Sequence, residues 1–233
     1  MINITKVATI GQKCHNLGML ASEKQTAALV GLFKSGTRLT YKKGEYVIRP
    51  GEAPSAVFYI ESGLVKAYNI SKYGEENLLI IRKAHEIFPL IWALTGSERE
   101  IIYQAMDQTA AWRIDQQKYL DFLNSHPAAL PPILDMVTEM YRIHSERILN
   151  LEYRSVRERL VSFLLTMATR FGNQTEDGTV IEVPLRHQDI ASSINASRET
   201  ASREIAALER KGWIKNKRSY IVLLDIPAMQ EYL

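Results

Sequence analysis

At 233 residues the chain can form one large domain or two smaller ones. With 46% hydrophobic and 24% charged residues it has the balance of a globular protein, which excludes disorder, collagen and fibrous repeats. No run approaches the roughly 20 apolar residues that span a bilayer, and the N-terminus lacks a basic-then-apolar signal segment, so a cytoplasmic protein with no membrane partner is expected. The single cysteine, Cys14, excludes an intrachain disulfide, an all-cysteine zinc site and a cysteine-held iron–sulfur cluster within one chain. The net charge of +3 is small, but residues 185–218 alone carry eight Lys/Arg against four acids, a local excess that suits a nucleic-acid footprint or a solvated helix face.

In chain order, Glu23 to Phe33 reads as a short amphipathic helix. From Thr37 to about Ile114, short apolar runs alternate with turn residues, which predicts antiparallel β-structure in a sandwich or barrel. Lys43-Gly44, Pro50-Gly51, Ser62-Gly63 and Tyr73-Gly74 supply glycines for tight turns. The period then changes. Leu134, Val137, Tyr141, His144, Ile148 and Leu151 recur at steps of three and four, a narrow seam that predicts a dimer helix, with Pro131 and Pro132 suited to its first turn. Burial against the β-region of the same chain is the alternative, and both hold if they use different faces.

Ser155 to Phe171 continues as helix, with Val156, Leu160, Phe163, Leu164 and Met167 on one face. The stretch from Gly172 to Gly178 is polar, and Val180 to Val183 reads as a short strand. Gln188 to Ile194 forms a short helix, Asn195-Ala196 a tight turn, and Ser197 caps a second helix that runs to about Lys211, which together make a helix-turn-helix. At about 100° per residue, Arg198, Glu199, Ser202 and Arg203 share one face of that second helix, and Ala201, Ile205 and Leu208 share another. The first set is what base reading requires: arginine for guanine O6 and N7, glutamate for cytosine N4, and serine for either. Ser197 and Thr200 at the helix start, with Lys215, Lys217 and Arg218 at the tip of a following β-hairpin wing, are expected to bind phosphate.

At Ser197-Arg198-Glu199-Thr200-Ala201-Ser202-Arg203 the chain resembles the CRP/FNR family of bacterial transcription regulators. The resemblance extends from about Leu20 to Leu233, and Gly51 to Tyr68 is similar to the family's strand-turn-strand in the effector domain. It implies an α+β protein: an N-terminal double-stranded β-helix (jelly-roll, cyclic-nucleotide-binding-like) domain with an N-terminal helix over residues 1–130, a dimerisation helix over 131–153, and a winged helix-turn-helix over 154–233. It further implies a homodimer on double-stranded DNA that reads a palindromic TGA-type site, with RNA polymerase open as a further partner. At Arg186, where relatives often place a Thr or Ser cap, local helix capping is expected to be weakened.

Members that bind cyclic AMP carry a Gly-Glu pair and an Arg followed by Ser or Thr. This chain has Phe88-Pro89 at the first position and Arg99 followed by Glu100 at the second, so an effector other than cyclic AMP is expected. The resemblance places Phe88, Trp92, Arg99, His144 and Ser145 around the effector, whose identity stays unknown. His144 is either a sensor or a partly solvated seam residue. A cupin-like metal enzyme is the competing function, but the five histidines are scattered, with no His-X-His pair in the β-region, so neither catalytic residues, a metal site nor a cofactor is expected. An architectural protein that binds DNA without sequence choice is the third reading.

Overall fold

The structure, a computed structural model, describes residues 20–217 and 220–233. Cys14 and Arg218, both noted above, lie outside the described residues. The first helix, α1 (Glu23–Lys34), starts at Ser22, whose side chain accepts from the Gln25 N–H while Gln25 reciprocates, a capping box that fixes the start.

Eight strands follow: β1 (Thr37–Tyr41), β2 (Tyr46–Ile48), β3 (Val57–Ser62), β4 (Val65–Ile70), β5 (Glu76–Arg82), β6 (Ile87–Phe88), β7 (Ile102–Ala105) and β8 (Thr109–Ile114). They form two four-stranded sheets, ordered β1-β8-β3-β6 and β2-β7-β4-β5, with antiparallel pairing throughout. The turn at Gly63 carries the chain from one sheet to the other. There φ is +89°, and a Cβ would come within 2.6 Å of the Gln108 carbonyl oxygen, so only glycine fits without displacement. The Leu64 N–H donates to Asp107 (2.8 Å) and its carbonyl accepts from the Met106 N–H (2.8 Å), so the turn is pinned from both sides.

The two sheets enclose one core built on Ile48, Phe58, Ile60, Val65, Ile80, Phe88 and Tyr103. The outer face of the first sheet is covered by α1 and by α3 (Gln116–Ser125), through Leu29, Phe33, Tyr119 and Leu123. A short α2 (Leu90–Thr95) links β6 to β7, and a 3-10 turn (Pro127–Ala129) leads into the long α4 (Leu130–Tyr153). Pro131 and Pro132 occupy the first turn of α4, where a missing N–H breaks no helical bond. One side of α4, with Ile133, Met136, Met140 and Ile143, packs on the β-domain. Leu134, Tyr141, Ile148 and Leu151 are exposed, while Val137 and His144 are half-buried.

Helix α4 stops at Arg154, which is extended, and α5 (Val156–Phe171) restarts at Ser155 through a second capping box with Glu158. The C-terminal domain continues with β9 (Gly172–Thr175), β10 (Gly178–Ile181), α6 (His187–Ser193), α7 (Arg198–Arg210), β11 (Ile214–Lys217), β12 (Tyr220–Leu223) and α8 (Ile226–Glu231). Its sheet runs β11-β12-β10-β9. The polar stretch after Gly172 thus contains an edge strand. Every β9 residue is exposed and none is apolar beyond Gly172, so no apolar alternation marks the strand in the sequence.

This domain does not stand apart. Leu160, Leu164, Ile190, Ile205 and Leu208 share one core with Tyr68, Leu78, Ile81, Ile102 and Met106 from the outer face of the second β-sheet.

Candidate nucleic-acid interface and the cavity beside it

Helix α7 is held from beneath. Ala201, Ile205 and Leu208 are buried, and full burial of each of the larger two is worth about 1.5–3 kcal/mol. Ahead of it, Asn195 turns the chain at φ +50°, a left-handed conformation that asparagine tolerates. Ser197 is the N-cap, and its hydroxyl accepts from the Thr200 N–H at 3.1 Å. With the underside buried, Arg198, Glu199 and Arg203 face solvent and Ser202 is half-buried. Ser202 Oγ meets His187 Nδ1 at 2.8 Å, and Asn216 Nδ2 lies 3.3 Å from the other ring nitrogen. His187 therefore links the first helix of the motif, the second helix and the wing. Hydrogen bonds from its own backbone and from Ser197, with the charge of Arg198, hold the Glu199 carboxyl below its ordinary value, so the group is anionic at neutral pH. Lys215 is exposed, and Lys217 makes an exposed ion pair with Asp177 at 3.3 Å.

Arg186 makes no side-chain cap to the first turn, as its lack of an acceptor implies, and the start of this helix is held instead from Asp189 three residues on. The Asp189 carboxylate accepts from the Arg186 backbone N–H (2.9 Å), Nε (3.0 Å) and Nη2 (3.0 Å). Asp189 is only 2% exposed, and Lys66 of β4, itself buried, stands 3.6 Å away. Burial pushes this carboxyl up, but the hydrogen bonds from Arg186 and the charges of Arg186 and Lys66 outweigh it and hold the group below the ordinary aspartate range. Lys66 also binds Glu76 at 3.1 Å within the β-domain, while its buried pair with Asp189 joins that domain to the helix-turn-helix.

Between the β-domain, α4 and the start of α7 lies a cavity of about 1420 Å³. Trp92, Arg99 and His144 line it, as do Arg198 and Glu199 at the head of α7. Phe88 and Ser145, which the resemblance placed around the effector, are not on its wall. Phe88 is fully buried, stacked between Phe58 (5.2 Å between ring centroids) and Tyr103 (4.7 Å), so the β-domain core claims its ring. Burial lowers the His144 pKa, and Arg147, Arg82, Arg99 and Arg170 lower it further, which keeps this histidine neutral at pH 7.

Two wall residues escaped the sequence reading. Arg147 donates to the Leu78 carbonyl, to Asn77 Oδ1 (2.6 Å) and to the Ser192 carbonyl (3.2 Å), which ties α4 to β5 and α6. Its position three residues after His144, on the same helical face, was the available signal. Arg82 closes the apolar run from Leu78 to Ile81, and nothing in that run shows that the side chain turns inward. Among the described residues, no three His, Cys, Asp or Glu side chains converge as a metal site would need, and no helix is long and apolar enough to cross a membrane.

A model of the Crp-like helix-turn-helix domain matches residues 158–232, and a model of the cyclic nucleotide-binding domain matches residues 38–126. The chain is 27% identical over 191 residues to the global nitrogen regulator of Nostoc sp., covering 79% of this chain and 83% of that protein. It is 24% identical over 201 residues to the CRP-like cAMP-activated global transcriptional regulator of Mycobacterium tuberculosis, covering 86% and 90%. A solved structure of a CooA mutant from Carboxydothermus hydrogenoformans shares the fold, with a TM-score of 0.73 at 22% identity over 87% of this chain and 89% of that one.

Proposed function

Because the chain belongs to the CRP/FNR family of DNA-binding transcription regulators, which are not enzymes, we propose that it acts as a homodimer reading a palindromic TGA-type site under the control of an effector other than cyclic AMP. The observation that carries this reading is helix α7, capped at Ser197 and held by Ala201, Ile205 and Leu208, with Arg198, Glu199 and Arg203 directed to solvent. Arg198, Glu199, Ser202 and Arg203 read bases from the major groove, and Ser197, Thr200, Lys215, Lys217 and Arg218 bind phosphate. Two such helices related by a twofold axis impose palindromy on the DNA. The exposed stripe of Leu134 (51%), Tyr141 (74%) and Ile148 (63%), spaced by seven along α4, supports pairing of two copies through this helix.

The effector enters the cavity beside Trp92, Arg99 and His144. Cyclic AMP is disfavoured because Phe88, at the place of the ribose-binding pair, is committed to the core, and Glu100 follows Arg99 with a charge that repels phosphate. The test is selection of bound duplexes from a random library by the full chain at near-physiological salt, with and without cyclic AMP. The expected result is a TGA-type palindrome whose enrichment cyclic AMP does not change. Affinity set by salt alone, with no sequence enriched, would overturn the reading in favour of an architectural protein.

A further inference from the structure

The wall of the cavity holds a buried guanidinium with one edge unused. Arg82, with a side chain 5% exposed, donates through Nη1 to Glu86 at 3.2 Å. Its Nη2 faces only the thioether of Met140 at 3.2 Å, and its Nε has no partner among the described residues. A buried charged donor without an acceptor is costly, and thioether sulfur is a weak acceptor. Nor is the charge balanced. Glu86 is shared with Arg170, which binds it at 2.7 Å, so one buried carboxylate serves two buried guanidiniums. Glu139 approaches Arg170 at 3.9 Å, but it is 41% exposed and is held by Arg142 at 2.8 Å. Arg99 and His144 line the same cavity, Arg99 with no ion pair among the described residues. Around these cations the wall is apolar: Ile80, Leu90, Trp92, Ile101, Tyr103 and Met140.

We propose that the Nε–Nη2 edge of Arg82 is the anchor for the effector's carboxylate, and that the effector is a monocarboxylate with a compact apolar or aromatic body. The Nε and Nη2 hydrogens of a guanidinium point the same way and match the two oxygens of a carboxylate as a planar fork. The ligand supplies the missing acceptor, displaces only a thioether, and brings the second negative charge that the pair of buried arginines lacks. Its body lies against Trp92, Tyr103 and Leu90. This inference rests on the cavity being the effector site.

Calorimetric titration of the full chain tests it, with benzoate, hexanoate and decanoate as probes, each paired with its neutral alcohol. At least one acid is expected to bind saturably, one per chain, and at least tenfold more tightly than its alcohol. Arg82→Met should weaken that binding tenfold or more, Arg82→Lys should retain part of it, and Arg49→Met, an exposed arginine elsewhere, should leave it unchanged. Circular dichroism and the melting temperature report whether Arg82→Met stays folded. If it does not, the carboxylate-over-alcohol preference of the wild type and the partial binding of Arg82→Lys still decide. Binding by none of the acids, equal binding of acid and alcohol, or full binding by a folded Arg82→Met would each overturn the inference. Because the readout is calorimetric and needs no DNA, its failure is distinguishable from failure of the duplex selection.

Discussion

The head of α7 and the cavity beside it both present arginine, yet they hold it in opposite ways. Arg198 and Arg203 stand in solvent on a face whose apolar underside is satisfied within its own domain. Arg82 and Arg170 are enclosed, packed among β5, α4 and α5, and share one glutamate. An exposed cation keeps its hydration until a polyanion arrives and releases counterions, so it suits a large surface such as DNA. A buried cation has already lost its water and accepts only a partner small enough to enter and charged enough to replace it. The two arginine sets therefore cannot exchange ligands, although one member of each, Arg198 and Arg82, lines the same cavity.

Substitutions test that contrast, beginning where burial is greatest. Asp189→Ala removes a buried carboxylate from Lys66 and Arg186, and should cost about 3–5 kcal/mol of stability, read as a fall in melting temperature. Because the folded-state pKa of Asp189 is depressed, its contribution is present above about pH 4 and lost as pH falls further. That acid-dependent component should vanish in the variant. At the exposed face, Glu199→Ala should leave folding intact but relax discrimination at one base pair by roughly tenfold, measured by competition with single-base variants of the selected site. Ser197→Ala removes a helix cap and should cost about 1 kcal/mol in thermal or denaturant unfolding. Lys217→Ala should weaken all sequences alike and reduce the magnitude of the salt slope by about one, since its exposed pair with Asp177 contributes little. The smallest effect belongs to His144. Its depressed pKa means that the unfolded chain takes the proton first, so stability declines as pH drops below about 6.5, and His144→Leu should flatten that decline.

Helix α7 was legible because everything that shapes it is local. The Ser197 cap, the apolar triad and the reading residues lie within a dozen positions, and helical periodicity alone sorts them onto faces. The cavity was legible only in part. His144 stands out as a titratable residue in an apolar seam, but Trp92 and Phe88 are placed on the wall by resemblance alone, and the rings that hold Phe88 in the core, Phe58 and Tyr103, come from distant strands. Arg82 and Arg147 carried no local mark, because their meaning depends on β5, α4 and α6 meeting in space. At Arg186 the missing hydroxyl cap is legible, but its compensation is not: Asp189 three residues on binds the Arg186 N–H and guanidinium, and Lys66 from another domain helps to hold that carboxylate charged.

The shared apolar cluster that joins Leu160, Ile190 and Leu208 to Tyr68, Leu78 and Ile102 bears on how the molecule comes apart. A C-terminal fragment cut at Arg154 would leave those β-sheet side chains and their counterparts bare to water, losing stabilisation on both pieces at once. Heating should therefore melt the two halves in a single cooperative transition. Limited proteolysis should yield either the intact chain or small peptides, and no durable DNA-binding fragment.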